Sequence, residues 1–214
     1  MLVNNGRIKG EALALDSTFI KAYSRRNLDN RTGYSDPESR IGRAVKAKDL
    51  GYRLHLAVDV KSELPLAMIV VSANENEKKH APTLFHKALT ATEQHTKTVV
   101  ADSQFSSRKL REQLSTSGVK VVIPYPANQN KEKKTLLRVD KYFRTHGPAC
   151  ERQIYNQRGV VERVNSRLKE QLCLERHRAR GLERITIHAL LLNALIALRL
   201  NRLEKARSLT MIAR

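Results

Sequence analysis

Asp16, Asp102 and Glu162 are three carboxylates whose surroundings suggest joint chemistry. Asp16 stands in EALALDST, where Leu13 and Leu15 alternate on one face and Asp16 falls on the other, and Asp102 follows the apolar run TVVA. Each Asp falls where a predicted strand opens into a polar segment, DSTFIKAYSRR and DSQFSSRK. In open α/β sheets the carboxyl ends of strands line the natural site. Two carboxylates held side by side repel, and such a pair normally exists to hold a hard cation. Each Asp taken alone also reads as a turn or N-cap residue, and Asp102 could cap the helix expected after it.

Glu162 belongs to a second constellation. Tyr155, Arg158, Glu162 and Lys169 lie on one predicted helix within an arc of roughly 60°, so one face carries a phenol, a guanidinium, a carboxylate and an ammonium. Arg158 and Glu162 are also an i,i+4 pair, and a solvated face with a weak salt bridge is the simpler account. Val160, Val161, Val164 and Leu168 form a separate apolar stripe able to seat this helix and leave the polar face open.

The elements that must position these residues follow from periodicity. Strands are expected over Glu11–Thr18, Tyr52–Val60, Leu64–Ala73, Thr98–Ala101 and Val119–Pro124, with KSE joining the second and third as a hairpin. Helices are expected over His80–Gln94 and Ser106–Ser117, the latter closed by Gly118 at C′. Two long helices follow, near Glu151–Leu174 and Glu183–Arg207. Tyr23–Gly51, with SDPESR and RAVKAK, and the Lys-rich stretch 126–150 read as loops. Three adjacent antiparallel strands followed by alternating helices and strands imply an α/β fold: a mixed five-stranded sheet flanked by helices, the ribonuclease-H-like order.

Composition narrows the partners. The 214 residues include 40 Lys+Arg against 21 Asp+Glu, a net charge of +19, with a pI near 10.3. Residues 1–50, 51–150 and 151–214 carry +4, +7 and +8, so the excess is spread along the chain. A long polyanion, most commonly nucleic acid, fits that distribution. With 41% hydrophobic residues the chain can build a core, which argues against disorder. Aromatic residues make up 5% with no Trp, which argues against a single-strand binder built mainly on stacking. Two cysteines make no disulfide framework, no apolar signal core opens the chain, and Ala189–Leu198 is too short for a bilayer. A soluble cytoplasmic, nucleoid-associated protein is the expectation.

Tyr155-x2-Arg158-x3-Glu162-x6-Lys169 resembles the Y-x2-R-x3-E-x6-K (YREK) signature of DDE-type insertion-sequence transposases of bacteria and archaea. LALDSTFIKA around Asp16, SDPESRIGR and LGYRLHLAVD within 35–59, and VVADSQFSSRKLREQL around Asp102 resemble the same family, with 85 residues between Asp16 and Asp102 and 59 between Asp102 and Glu162. The resemblance runs from about Glu11 to Leu200. It implies that Asp16, Asp102 and Glu162 are the catalytic, metal-binding triad. Tyr155, Arg158 and Lys169 would contact transposon-end DNA near the scissile phosphate. Two divalent ions, Mg²⁺ or Mn²⁺, about 4 Å apart would serve an in-line displacement. The implied activity is cleavage at insertion-sequence ends and strand transfer into target DNA, by a homodimer on double-stranded DNA. Family members usually carry a helical DNA-binding region before the first Asp. Only 15 residues precede Asp16, so a single catalytic domain over 1–214 without that region is expected. Two rivals stand beside this: a metal-dependent nuclease that only hydrolyses, and a non-catalytic DNA-binding remnant that inhibits a full-length enzyme.

Other residues carry less. His146-x3-Cys150 with Cys173-x3-His177 has ligand types for zinc, but a helix of about 20 residues between the two pairs would hold them about 30 Å apart. The Lys-rich KEKK at 131–134 reads as a phosphate-facing or solvated loop. His55, beside Arg53 and Ala57 on a strand, reads as packed or phosphate-adjacent. Asp59 reads as a turn residue. ITIHALLLNALIALRL reads as core or dimer contact.

Overall fold

The computed structural model describes residues 9–44, 47–124 and 149–212. Its strands are β1 (Ala12–Lys21), β2 (Arg26–Asn27), β3 (Thr32–Gly33), β4 (Arg40–Arg43), β5 (Lys48–Asp59), β6 (Pro65–Ser72), β7 (Thr98–Ala101) and β8 (Lys120–Val122). Its α-helices are α1 (Glu77–Ala91), α2 (Arg108–Thr116), α3 (Ala149–Asn156), α4 (Gly159–Ser166) and α5 (Leu182–Ile212). The main sheet has the order β4-β5-β1-β7-β8, with β6 also paired to β5. It is a mixed sheet with flanking helices, the ribonuclease-H-like arrangement. All five expected strands are present, and β4 adds a sixth that pairs antiparallel to β5. The chain divides into two compact units. One comprises residues up to Thr18, His55–Ile69 and Glu75–Val164, and the other Phe19–Leu54, Val70–Asn74 and Asn165 onward.

In the first unit, β1 pairs parallel with β7 from Ala12↔Thr98 to Leu15↔Ala101, and β7 pairs parallel with β8. Leu13, Ala14 and Leu15 are all fully buried, as are Val99, Val100 and Ala101. Burial on both faces is what a parallel strand covered by helices requires, and it explains why these stretches read as apolar runs. Their core includes Leu84, Phe85 and Ala88 of α1 and Leu110 and Leu114 of α2.

The helix ends show which local signals decide. α1 begins at Glu77 rather than His80, because the Asn76 side chain accepts a hydrogen bond from the Lys78 N–H at 2.9 Å. It ends at Ala91, before Glu93 and Gln94 turn to positive φ. α2 is capped by Ser107, and Gly118 closes it at φ +66°. There the Gly118 N–H donates to the Ser115 carbonyl and the Val119 N–H to the Leu114 carbonyl, the Schellman pattern.

The long helix expected over 151–174 is broken. α3 stops at Asn156, Gln157 and Arg158 form a turn, α4 restarts at Gly159, and Arg167–Gln171 winds as a wide π turn. Glycine at 159 lowers helix stability at that point, which the hydrophobic period does not register. α5 runs unbroken to Ile212. Ile185, Ala189, Leu192 and Ile196 on it are buried, while Ile187, Leu190, Leu191 and Leu198 are at least half exposed. Among the described residues no helix is long and apolar enough to cross a membrane.

The second unit is organised by SDPESR, which reads as a loop and acts as a clamp. Asp36 is fully buried. Its carboxylate accepts from the Tyr52 hydroxyl at 2.5 Å and from the Gly181 N–H at 3.2 Å. Two residues on, Glu38 accepts from the Leu182 N–H at 2.9 Å, placing a carboxylate on the first turn of α5, where the helix dipole favours it. Burial and the Asp36 carboxylate raise the Tyr52 phenol well above its ordinary range. Gly51 is required on the same strand as Tyr52, since a Cβ there would lie 2.1 Å from the Ile20 carbonyl oxygen. Replacing Asp36 by Ala strands the buried Tyr52 hydroxyl and the half-buried Gly181 N–H and is expected to cost about 3 kcal/mol, with Tyr52→Phe costing about 1. Urea unfolding followed by circular dichroism measures both, and equal midpoints for wild type and Asp36→Ala would refute the clamp.

Candidate active site

The β1–β7 register builds the site. Its last pair is Leu15↔Ala101, so the next residue on each strand is a carboxylate, Asp16 on one and Asp102 on the other. β1 itself continues to Lys21, so what ends at Asp16 is the pairing to β7 and not the strand. Asp102 makes no cap hydrogen bond to the 3₁₀ turn Ser103–Phe105, and Ser107 caps α2. The N-cap account of Asp102 therefore fails. Instead its Oδ1 accepts from the Ser103 hydroxyl at 2.9 Å. Ser103 is a contributor that sequence reasoning passed over, and its only signal was adjacency to Asp102.

Glu162 sits in the first turn of α4, followed by Arg163, whose guanidinium meets Glu63 Oε1 at 2.5 and 2.9 Å. Val160, Val161 and Val164 on the same helix are buried, as the apolar stripe predicts. Arg158 Nη2 lies 2.5 Å from Glu162 Oε1, and its guanidinium sits 5.8 Å from the centre of the Tyr155 ring. The turn at Gln157–Arg158 breaks the helix expected to carry the 60° arc, and Tyr155, Arg158 and Glu162 nonetheless stay within electrostatic reach of one another. The i,i+4 ion pair persists across the restart of the helix.

Electrostatics join these groups. Burial pushes the Asp16 carboxyl up from an ordinary 3.8 to about 6. A hydrogen bond from the Ser17 backbone and the Arg158 charge oppose the rise, while Glu162 and Asp102 add to it. Burial likewise raises the Tyr155 phenol against the pull of Arg158. For Arg158 burial works against the cation, and Tyr155, Glu162, Asp16 and Asp102 more than offset it, so its pKa is raised. Five of the six residues singled out from the sequence thus feel one another. Lys169 belongs to the second unit, where its Nζ lies 2.9 Å from Glu175 Oε1.

The donor chemistry suits a hard divalent cation: the carboxylates offer oxygen alone, and a cation would favour the charged form of Asp16 that burial, with a smaller part from Glu162 and Asp102, disfavours. Among the described residues, however, no three His, Cys, Asp or Glu side chains are gathered tightly enough to ligate a metal. Glu162 is engaged by Arg158.

The remaining sequence candidates resolve as follows. Asp59 is the buried last residue of β5 and ties down the turn after it: its carboxylate accepts from the Gly10 N–H at 3.1 Å and from the Ser62 N–H and hydroxyl at 2.8 and 2.6 Å. His55 is fully buried, its ring 5.5 Å from that of His80 and 6.2 Å from that of Phe105. Cys173 is a free thiol, and His177 lies 3.1 Å from the Lys21 carbonyl oxygen and 5.2 Å, ring to ring, from His188. His146, the Cys150 side chain and the KEKK stretch lie outside the described residues.

Acidic residues emerging side by side from parallel strands of this mixed sheet define a ribonuclease-H-like domain with a carboxylate-centred site. The chain belongs to the transposase DDE domain family, whose model matches residues 7–199. No curated protein matches it. Among solved structures it is similar to a simian T-cell lymphotropic virus intasome, with 15% identity over 77% of this chain and 40% of that one and a TM-score of 0.39. It is similar also to the piggyBac transposase in a synaptic complex with hairpin DNA, with 12% identity over 86% and 45% of the two chains and a TM-score of 0.47. A third is the HTLV-2 integrase catalytic core domain in complex with magnesium, with 15% identity over 75% and 87% and a TM-score of 0.34. The chain spans less than half the length of the first two.

The raised Asp16 pKa sets a pH dependence. The folded protein holds this proton more tightly than the unfolded chain, so ionisation costs folding free energy. The stability is full below the unfolded value near 3.8 and is lost as pH rises through about 6. Asp16→Asn removes that loss. Discounted for partial exposure, it should stabilise the metal-free protein by about 1–2 kcal/mol at pH 8 and leave it unchanged at pH 4. Thermal melts in EDTA at the two pH values test this, and equal shifts at both would contradict it.

Proposed function

We propose that this domain is a transposase catalytic unit that cleaves DNA at insertion-sequence ends and joins the freed 3′-hydroxyl to target DNA. The observation that carries the reading is the β1–β7 register, which leaves Asp16 and Asp102 adjacent with Glu162 within electrostatic reach. Family membership supports it, and so does a charge of +19 spread along the chain, which suits a long polyanion.

In this reading Asp16, Asp102 and Glu162 hold divalent cations, two Mg²⁺ or Mn²⁺ ions. When bound, such ions lower the pKa of attacking water and stabilise the leaving 3′ oxygen at phosphorus. Asp16 serves as a ligand once deprotonated, a change that the cation and a pH above about 6 both favour. Glu162 serves once its ion pair with Arg158 opens, and the released guanidinium is then free to grip a phosphate as a fork. One event thus completes the ligand set and creates the phosphate contact. Tyr155 contacts transposon-end DNA, and so does Lys169, as a point charge. In the first step water adds to phosphorus, and the strand's 3′ oxygen leaves as the hydroxyl. In the second that hydroxyl attacks a target phosphodiester and expels its 3′ oxygen, so no covalent bond to protein forms. The domain works as a homodimer on double-stranded DNA, in the nucleoid of a prokaryotic cytoplasm.

Supercoiled-plasmid nicking with Mg²⁺ or Mn²⁺ tests this. Asp102→Asn and Glu162→Gln should each reduce nicking by about a hundredfold or more while DNA binding persists. Joining of a labelled 3′-hydroxyl oligonucleotide to the plasmid should fall in parallel. Nicking without joining would leave a hydrolytic nuclease, tight binding without either would leave a DNA-binding remnant, and equal nicking in all three proteins would remove the triad.

A further inference from the structure

The second unit contains a cleft that the catalytic reading leaves unused. It encloses about 530 Å³ and is lined by Tyr23, Ser24, Arg25, Tyr34, Ser35 and Arg180. Tyr23 is 46% exposed and Tyr34 69%, so a chain with six tyrosines in all spends two of them on one open cleft. Among the described residues no acidic side chain lines it.

The walls are fixed by short-range bonds. The Arg180 guanidinium lies 5.2 Å from the centre of the Tyr23 ring, while its Nε donates to the Tyr23 carbonyl at 3.3 Å. Tyr34 is held by its N–H on the Arg25 carbonyl at 3.0 Å. The Ser35 N–H and hydroxyl both bond Ser24 Oγ at 3.1 Å. The Asp36 clamp organises the whole, because Asp36 directly follows Ser35 and bonds the N–H of Gly181, the residue after Arg180. The cleft is therefore set before any ligand arrives, and binding to it costs little ordering.

We propose that this cleft binds an unpaired nucleotide of a DNA strand, its base against the tyrosine faces and its phosphate on Arg25 and Arg180. Aromatic faces exposed to water gain by stacking on any base, and guanidinium groups pair with phosphate. The volume suits one nucleotide and excludes a duplex about 20 Å across. This rests on the reading of the chain as a DNA-processing protein, and it adds that frayed or flayed strands are gripped by residues other than the carboxylates.

The test is fluorescence anisotropy in EDTA, which keeps binding separate from cleavage. One probe is a blunt duplex, the second carries a short single-stranded tail, and the third has the same tail without bases. Wild type should bind the tailed duplex about tenfold more tightly than the blunt one, and the abasic tail should lose that gain. Tyr23→Ala and Tyr34→Ala should each remove most of the preference with blunt-duplex affinity unchanged, and Tyr34→Phe should keep it. Tyr34 is exposed enough that its loss does not threaten folding. A preference that survives both alanine variants, or an abasic tail bound as tightly as the intact one, would overturn the cleft assignment alone. No binding to any DNA would overturn both it and the reading beneath it.

Discussion

The parallel ladder between β1 and β7 is the constraint on which the rest depends. Its final pair, Leu15↔Ala101, is buried on both sides and fixes register, since a slip of one residue would turn each buried apolar set toward the wrong face. The same ladder sets two carboxylates beside each other in a partly desolvated place. Burial there disfavours the charged form of Asp16, Glu162 and Asp102 add to this, and the upward shift of its carboxyl is the mark of that tension. The apolar core under the strands supplies the free energy that keeps them together. Strain of this sort is expected where a fold serves chemistry rather than its own stability.

Arg158 answers the tension from the other side. From the turn between α3 and α4 its one guanidinium acts on Tyr155, Glu162, Asp16 and Asp102 together. In the second unit a buried carboxylate plays a quieter part: Asp36 holds Tyr52 and the entry to α5 through hydrogen bonds to its Oδ1.

Much of this was legible in the residues. The strands carrying Asp16 and Asp102 announce themselves as short apolar runs because parallel strands are buried on both faces. Gly118 closes α2 as a left-handed C′ residue, and the spacing of Arg158 and Glu162 foretold their ion pair. What escaped has identifiable causes. The start of α1 is set by a cap at Asn76, which lies outside the apolar period used to place it. The interruption at Gln157–Arg158 is invisible to periodicity, since both residues are polar and the apolar stripe of Val160, Val161 and Val164 lies wholly after it. Asp36 could not be told from a loop aspartate, because its partner Gly181 is far away along the chain. Chemistry-bearing types at fixed spacing are readable, whereas long-range hydrogen bonds are not.

The order of the strands also has a consequence in time. During synthesis β1 leaves the ribosome long before β7 exists, and Ala12 must wait for Thr98 to find its neighbour. Until then a strand with both faces apolar has no cover, which leaves the nascent chain open to mispairing and to chaperones. The acidic pair comes into being only with that late closure, so a chain halted before Ala101 cannot set Asp16 beside a second carboxylate, whatever the earlier strands have done.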